Sequence, residues 1–146
     1  MWGCGCPSCA EYGYQPAKPA RLYLFTVSPV WHPRPIPKVG ITNRSVDECY
    51  AREDARRTLL IDALWADGRI PQRIEAEVKR RLRSKTWAGD AVLSTRGSSE
   101  VFDVDPMKLR KLILSLIDAE KVKPESLIAR SLSFADQLLT PLALAA

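Results

Sequence analysis

Two short apolar runs, separated by a proline-rich stretch, constrain the fold of this chain more than any other feature. Residues 22–27 are apolar and aromatic, which predicts a β-strand. The stretch 28–37 contains four prolines and is excluded from the interior of a sheet, because proline has no N–H to donate to the hydrogen-bond ladder. Residues 38–42 then predict a second strand, so the pattern predicts a pair of strands joined by a loop.

The residues after this pair alternate between helical and strand patterns. Ser45 and Glu48 have the spacing of a capping box, so we expect a helix over 45–57. The apolar run 58–65 predicts a third, buried strand. Pro106 follows an aspartate, and proline is favoured at the first helical position, so another helix begins there. We also expect a helix over 71–83, strand character over 97–104 and a last helix from residue 124.

These elements predict an α+β fold. We expect a small, three-stranded, mainly antiparallel sheet flanked by helices, followed by C-terminal helices. The chain then divides into three parts. Residues 1–20 form a cysteine-rich segment and linker, residues 21–105 the main domain, and residues 106–146 a C-terminal helical extension.

Composition narrows the functional classes. The chain has 146 residues, enough for one domain and an appendage. Its 22 lysines and arginines outnumber 17 acidic residues, and the net charge of +5 favours binding to a polyanion such as DNA. No apolar run approaches the roughly 20 residues that span a bilayer, so we expect no membrane partner. The N-terminus lacks the features of a signal peptide, so we predict a cytoplasmic protein with reduced cysteines.

Four sequence features follow one another along the chain, and their order is more specific than any one of them alone. They are LYLF at 22–25, KVGITN at 38–43, a downstream helix with an internal glutamate, and GSSEVF at 97–102. This order resembles the GIY-YIG nuclease superfamily, in its phage-type homing-endonuclease-like branch. The resemblance implies an endonuclease of phage, mobile-element or restriction type, which hydrolyses DNA phosphodiester bonds with Mg²⁺ or Mn²⁺.

The strand motifs carry the first two site residues. By resemblance, Tyr23 stands where relatives have a tyrosine that acts as, or assists, the general base. A free phenol has a pKa near 10, so neighbouring cations must favour its phenolate. Lys38 replaces a second tyrosine of the family pattern, and its charge is suited to neutralising phosphate. The alternatives are a surface hydroxyl at Tyr23 and a solvated lysine at Lys38. Gly40 is expected to allow close approach of a packed neighbour or of substrate.

The resemblance implies Glu75 as the metal ligand, because it lies in the helix after the third strand. On a helical projection Glu75 borders the apolar stripe of Ile74 and Val78, so we expect it to point along the sheet toward Tyr23. The alternative is an ion pair with Lys79, four residues further on.

The phosphate-binding arginine of the family has no direct counterpart, because Cys49 occupies the aligned position. Arg52, one helical turn further on, is our candidate for that catalytic role. Arg44, Arg56 and Lys79 are candidates for further phosphate or DNA contacts. The alternative for all of them is a basic, solvated surface.

Three cysteines near the N-terminus suggest a second metal. Cys4, Cys6 and Cys9 form a C-x-C-x-x-C pattern that resembles a zinc knuckle. Structural zinc requires four ligands, so Cys49, His32 or a partner chain would have to supply the fourth.

Two further functions stay open. One is a nucleic-acid-binding module that keeps the fold without catalysis. The other is a protein-interaction domain, in which the leucine-rich helix from Pro106 packs against a partner chain or a second copy.

Overall fold

An antiparallel β-sheet is the centre of the fold. The computed structural model describes residues 13–28, 32, 34–46, 56–86 and 101–132. Within these ranges the strands are β1 (Ala20–Val27), β2 (Ile36–Thr42), β3 (Arg57–Trp65) and β4 (Ser126–Ala129). They form one sheet in the order β2-β1-β3-β4. Helices α1 (Arg69–Arg81) and α2 (Pro106–Ala119) complete the fold. The predicted α+β class is therefore confirmed, with four strands in the sheet instead of three.

Strand β1 lies at the centre of the sheet and is buried on both faces. Successive side chains of a strand point to opposite faces. Leu22 and Leu24 belong to the main hydrophobic core, together with Val39 and Ile41 of β2. We call this the helix face, because α1 and α2 contribute to the same core. The opposite face carries Tyr23, and we call it the tyrosine face.

Helix α1 packs on the helix face through a narrow apolar stripe. Its buried residues include Ile70, Ile74 and Val78, at the i, i+4 and i+8 spacing of one helix side. Because its remaining surface is largely charged, this stripe fixes how the helix docks on the sheet. A short 3-10 helix, Arg83–Lys85, follows α1.

Helix α2 begins as the sequence predicts. Pro106 occupies the first turn, and the Asp105 side chain accepts a hydrogen bond from the backbone N–H of Met107 at 3.3 Å. Three residues spaced along one side, Leu109, Ile113 and Ile117, are buried in the main core. The local signals for this helix therefore agree with its packing.

The predicted last helix from residue 124 is wrong. Residues Ser126–Ala129 form β4 and pair antiparallel with Ile61–Leu64 of β3. Two further backbone bonds extend the pairing, from Glu125 N to Leu64 O and from Arg130 N to Leu60 O, both 2.7 Å. Residues 126–129 are extended because they form hydrogen bonds with β3, and a pairing with a distant strand cannot be predicted from the local sequence pattern.

The predicted domain boundary at residue 105 does not match a break in the structure. Helix α2 shares the core of the sheet, and β4 belongs to the sheet itself. The Trp65 indole N–H donates to the Val122 carbonyl at 3.0 Å, and Arg73 pairs with Glu120 at 2.6 Å. Residues 106–132 are therefore an integral part of the main domain.

The connector before β1 is fixed to the turn after β2. The Asn43 side chain accepts from the Gln15 backbone N–H at 2.8 Å and donates to the carbonyls of Gln15 and Pro19 at 3.0 Å. The Tyr14 hydroxyl donates to the Gly68 carbonyl at 2.6 Å. These bonds tie the described part of the linker to the domain.

Two predicted elements fall mostly outside the described residues. Of the helix over 45–57, the structure describes Ser45, a helical Val46, Arg56 and the start of β3 at Arg57. Of the strand over 97–104, it describes two backbone bridges, Val101 to Lys38 and Phe102 to Thr86. Neither helix in the described ranges has the length and apolar character needed to cross a bilayer.

Candidate functional site

Tyr23 lies flat across Gly40 on the tyrosine face. The two residues are cross-strand partners. A Cβ atom built on Gly40 would lie 2.2 Å from the Tyr23 Oη and 2.4 Å from its Cζ, closer than real Cβ contacts occur. The Tyr23 ring also stacks on Phe25, with 5.6 Å between centroids and 9° between planes. The expectation that Gly40 admits a packed neighbour is confirmed, and that neighbour is Tyr23.

Lys38 lies on the same face and is fully buried. Its cross-strand partner on β1 is Phe25, and its Nζ donates to the Val39 carbonyl at 3.5 Å. Both Lys38 and Tyr23 have 0% exposure. The alternative readings, a solvated lysine and a tyrosine with a surface hydroxyl, are therefore wrong. A lysine is rarely buried without a specific arrangement around its charge.

Three charged residues that the sequence motifs do not include flank Tyr23 and Lys38. The Arg57 guanidinium lies 5.9 Å from the centroid of the Phe25 ring, as a cation–π contact. Arg21 pairs with Asp62 at 3.0 Å, and Asp62 is the cross-strand partner of Tyr23 on β3. The lone acid in the apolar run TLLIDALW was the available signal for Asp62. Arg21 and Arg57 border strands and carried no such signal.

Glu75 lies on the other side of the sheet. It is 5% exposed on α1, and its Oε1 lies 3.4 Å from the Nζ of Lys79. The alternative weighed for Glu75, an i, i+4 ion pair with Lys79, is therefore present. The expected approach of Glu75 to Tyr23 is wrong, because α1 packs on the helix face and strand alternation directs Tyr23 to the opposite face. The structure brings Tyr23, Gly40 and Lys38 together and leaves Glu75 apart.

The remaining arginine candidates are widely spaced. Arg44 follows the end of β2, near Arg21 at the start of β1, and its backbone N–H donates to the Thr42 Oγ1 at 2.9 Å. Arg56 precedes β3, whose first residue pairs with Val27 at the end of β1. Six residues of strand, at about 3.3 Å each, place these two arginines roughly 20 Å apart. They therefore cannot contact the same phosphate.

Other predicted residues lie outside the described ranges. These are Cys4, Cys6 and Cys9 of the zinc pattern, Cys49, and the catalytic candidate Arg52. His32 is described, and its Nδ1 lies 2.7 Å from the Arg34 carbonyl oxygen.

Among the described residues, no group of three or more His, Cys, Asp and Glu side chains is close enough to hold a metal ion. Mg²⁺ in nucleic-acid enzymes is commonly held by one or two carboxylates together with substrate phosphates and water. Glu75 offers one carboxylate, which contacts a lysine and lies on the face opposite Tyr23, so it does not fit a metal site shared with Tyr23.

No protein-family model, no curated protein and no solved structure matches this chain. A functional proposal for this chain therefore rests on the geometry of the tyrosine face and of α1, together with the motifs in the sequence.

Proposed function

We propose that this chain is a GIY-YIG-like endonuclease, which hydrolyses DNA phosphodiester bonds in a reaction that depends on a divalent metal. The observation that carries the proposal is the assembly of Tyr23, Gly40 and Lys38 on one face of the sheet. Tyr23 and Gly40 are the strand residues in which the sequence resembles that superfamily, and Lys38 stands in place of its second tyrosine. Their juxtaposition is what the resemblance requires of the two strand motifs.

Each residue of the assembly has a definite part in this proposal. Tyr23 accepts or relays the proton of the attacking water through its Oη, and Lys38 neutralises charge on the phosphate. Gly40 admits the tyrosine ring across the strand. A bound Mg²⁺ or Mn²⁺ would supply the further positive charge that hydrolysis of a phosphodiester needs. Because Tyr23 and Lys38 are fully buried, contact with substrate requires a local opening of the packing around them.

A second function is favoured by one specific observation. Glu75, the carboxylate assigned to the metal, lies on the face opposite Tyr23 and contacts Lys79. A domain that keeps the strand assembly but separates these groups is suited to binding nucleic acid without cutting it. The two functions differ in a single measurable property, which is turnover.

Cleavage of plasmid DNA in Mg²⁺ and in Mn²⁺ tests the proposal. Tyr23→Phe keeps the ring that covers Gly40 and removes only the hydroxyl, so we expect cleavage to slow by about 10²-fold or more. Tyr14→Phe is the matched control, since the Tyr14 hydroxyl donates to the Gly68 carbonyl and its ring packs against the core of the helix face. It should cut within a few-fold of the wild-type rate.

The remaining outcomes separate the two functions. Equal rates for wild type and Tyr23→Phe would remove Tyr23 from the reaction. Salt-sensitive DNA binding without cutting in either metal favours the binding module. Glu75→Gln should retain cutting within tenfold, because Glu75 does not share the tyrosine face. Loss of cutting in a folded Glu75→Gln protein would show that the Glu75 carboxylate takes part in catalysis after all, as the metal ligand that the resemblance implies.

A further inference from the structure

A surface pocket of about 400 Å³ lies at the C-terminal end of α1. Among the described residues, its lining comprises Ala76, Lys79, Arg80, Arg83, Thr86 and Phe102. Three of these six side chains are cationic and none is acidic. The volume falls within the range of about 300–1,000 Å³ that is typical of small-ligand sites. A concave surface with this lining is suited to an anion.

Two of the cations are positioned by acids on their own helix. Arg80 donates from Nε and Nη2 to the Glu77 carboxylate at 2.9 and 2.6 Å. Lys79 contacts Glu75 at 3.4 Å. A guanidinium carries five N–H donors, and Arg80 uses two of them in these bonds, so it keeps donors for a ligand. The ion pairs hold the two side chains in place and lower the entropy lost when a ligand binds.

Arg83 is the third cation, and its situation differs. It belongs to the short 3-10 helix and is exposed. No hydrogen bond or ion pair joins its guanidinium to any residue in the described ranges. Its backbone is held, because the Thr86 hydroxyl donates to the Arg83 carbonyl at 3.2 Å and Thr86 bridges to Phe102. A fixed backbone that presents a guanidinium without a partner among the described residues is suited to contact an anion at the pocket.

We propose that this pocket binds a phosphate group of a nucleic-acid backbone. Arginine recognises phosphate through paired N–H bonds, and lysine adds a point charge. The pocket lies at the end of the helix that packs on the helix face, apart from the Tyr23 assembly, so it is a second contact with the substrate. That the phosphate belongs to nucleic acid rests on the proposed function, whereas the preference of the pocket for phosphate does not.

Fluorescence anisotropy with a labelled DNA duplex in EDTA tests the proposal in the absence of cutting. One phosphate contact changes the slope of log K against log salt by about 0.9, which is about 8-fold in affinity near 0.1 M salt. We therefore expect Arg83→Gln to weaken binding about 5- to 10-fold and to reduce the slope by about 1. Arg81→Gln is the matched control, because Arg81 lies two residues before Arg83 at the end of α1, pairs with Glu77 and is absent from the pocket lining. It should change affinity less than about twofold.

Each other result has a defined meaning. Equal losses for Arg83→Gln and Arg81→Gln, or no DNA binding by the wild type, would overturn the proposal. Inorganic phosphate at constant ionic strength tests the source of the ligand. Displacement of the duplex by millimolar phosphate that disappears in Arg83→Gln would show that phosphate and DNA compete for the pocket, as the proposal expects. Phosphate binding that requires Arg83, in a protein whose DNA affinity does not change in Arg83→Gln, would assign the pocket to a free anion and overturn its assignment to nucleic acid. An Arg83 effect in a protein that does not cut DNA would support the pocket and refute the nuclease.

Discussion

At the residue scale, Tyr23 and Gly40 form a steric pair as well as a candidate catalytic one. The tyrosine ring occupies the space that any side chain at position 40 would need. Phe25 supports the ring from the other side by stacking. A requirement for glycine at this position therefore follows from packing alone, and activity data on Gly40 variants must be read together with their stability.

Gly40→Ala should destabilise the fold. The new Cβ would lie 2.2 Å from the Tyr23 Oη, so the ring must shift within a fully buried site. Overpacking of this kind typically costs about 1–3 kcal/mol. Guanidinium denaturation followed by circular dichroism measures the free energy of unfolding.

Repeating Gly40→Ala in a Tyr23 variant tests whether the clash with the tyrosine causes the destabilisation. In Tyr23→Leu, the Oη and Cζ atoms that clash with an alanine at position 40 are missing. The cost of Gly40→Ala should shrink there, giving a coupling energy of about 0.5–3 kcal/mol in a double-mutant cycle. An unchanged cost in both backgrounds would show that the backbone of Gly40, and not the tyrosine, sets the requirement.

At the scale of elements, the last turns of α1 are held by one carboxylate. Glu77 accepts hydrogen bonds from Arg80 and from Arg81, the latter at 2.7 Å. The bonds from Arg80 first, and then those from Arg81, lower the pKa of Glu77 from 4.5 to about 2. This network also orients Arg80 at the cationic pocket, so the pocket shares its support with the helix end.

Acidification should reveal this network. Because the folded pKa of Glu77 lies below its unfolded value, its stabilisation is complete above about pH 4.5 and is lost as the pH falls toward about 2. Thermal melting at low salt should therefore show a smaller loss of Tm from pH 5 to pH 2.5 in Glu77→Gln than in the wild type.

A matched carboxylate controls this experiment. Glu125 is exposed and forms no ion pair within the described residues. Glu125→Gln should follow the wild-type dependence on pH. If Glu77→Gln and the wild type lose the same Tm between the two pH values, Glu77 contributes nothing to acid sensitivity.

The elements that the sequence predicts well are those with local signals. Strands β1, β2 and β3 and helices α1 and α2 lie within about two residues of their predicted positions. Their apolar periodicity and the Asp105-Pro106 start suffice to locate them. Strand β4 was missed because its partner, β3, lies about sixty residues earlier in the chain.

The candidate site was harder to predict for a related reason. Strand alternation relative to Leu22 and Leu24 assigns Tyr23 to one face, but the face on which α1 packs is a tertiary property. The helical projection correctly placed Glu75 at the border of a buried stripe, and it carried no information on the position of Tyr23. Burial of Lys38 likewise depends on contacts that the sequence pattern of β2 does not specify.

At the scale of the whole molecule, residues 106–132 and the sheet share one core. Ile113 of α2 is fully buried in the same cluster as Leu22 and Leu24 of β1. Ile113→Ala should therefore cost about 2–5 kcal/mol and weaken the sheet as much as the helix. Hydrogen exchange by mass spectrometry tests this, with β1 amides that exchange by global unfolding becoming roughly 30-fold faster or more.

Ser115→Ala is the control for that experiment. Ser115 lies on the exposed side of α2, and its hydroxyl donates to the Leu112 carbonyl at 2.7 Å. Ser115→Ala should change the free energy of unfolding by no more than about 0.5 kcal/mol. Faster exchange in α2 with unchanged protection in β1 would mean that residues 106–132 unfold separately.

The burial of β1 on both faces has a consequence for how the sheet assembles. A strand with one polar face cannot slip by one residue without exposing its apolar side, but β1 has apolar side chains on both faces and lacks that safeguard. The Tyr23–Gly40 fit, the Arg21–Asp62 pair and the irregularity between Leu24 and Phe25 all favour the observed alignment, because each depends on which residues face each other. These contacts stabilise one register of the strands. Without them, we expect sheets with shifted registers to form during folding and to slow it as kinetic traps.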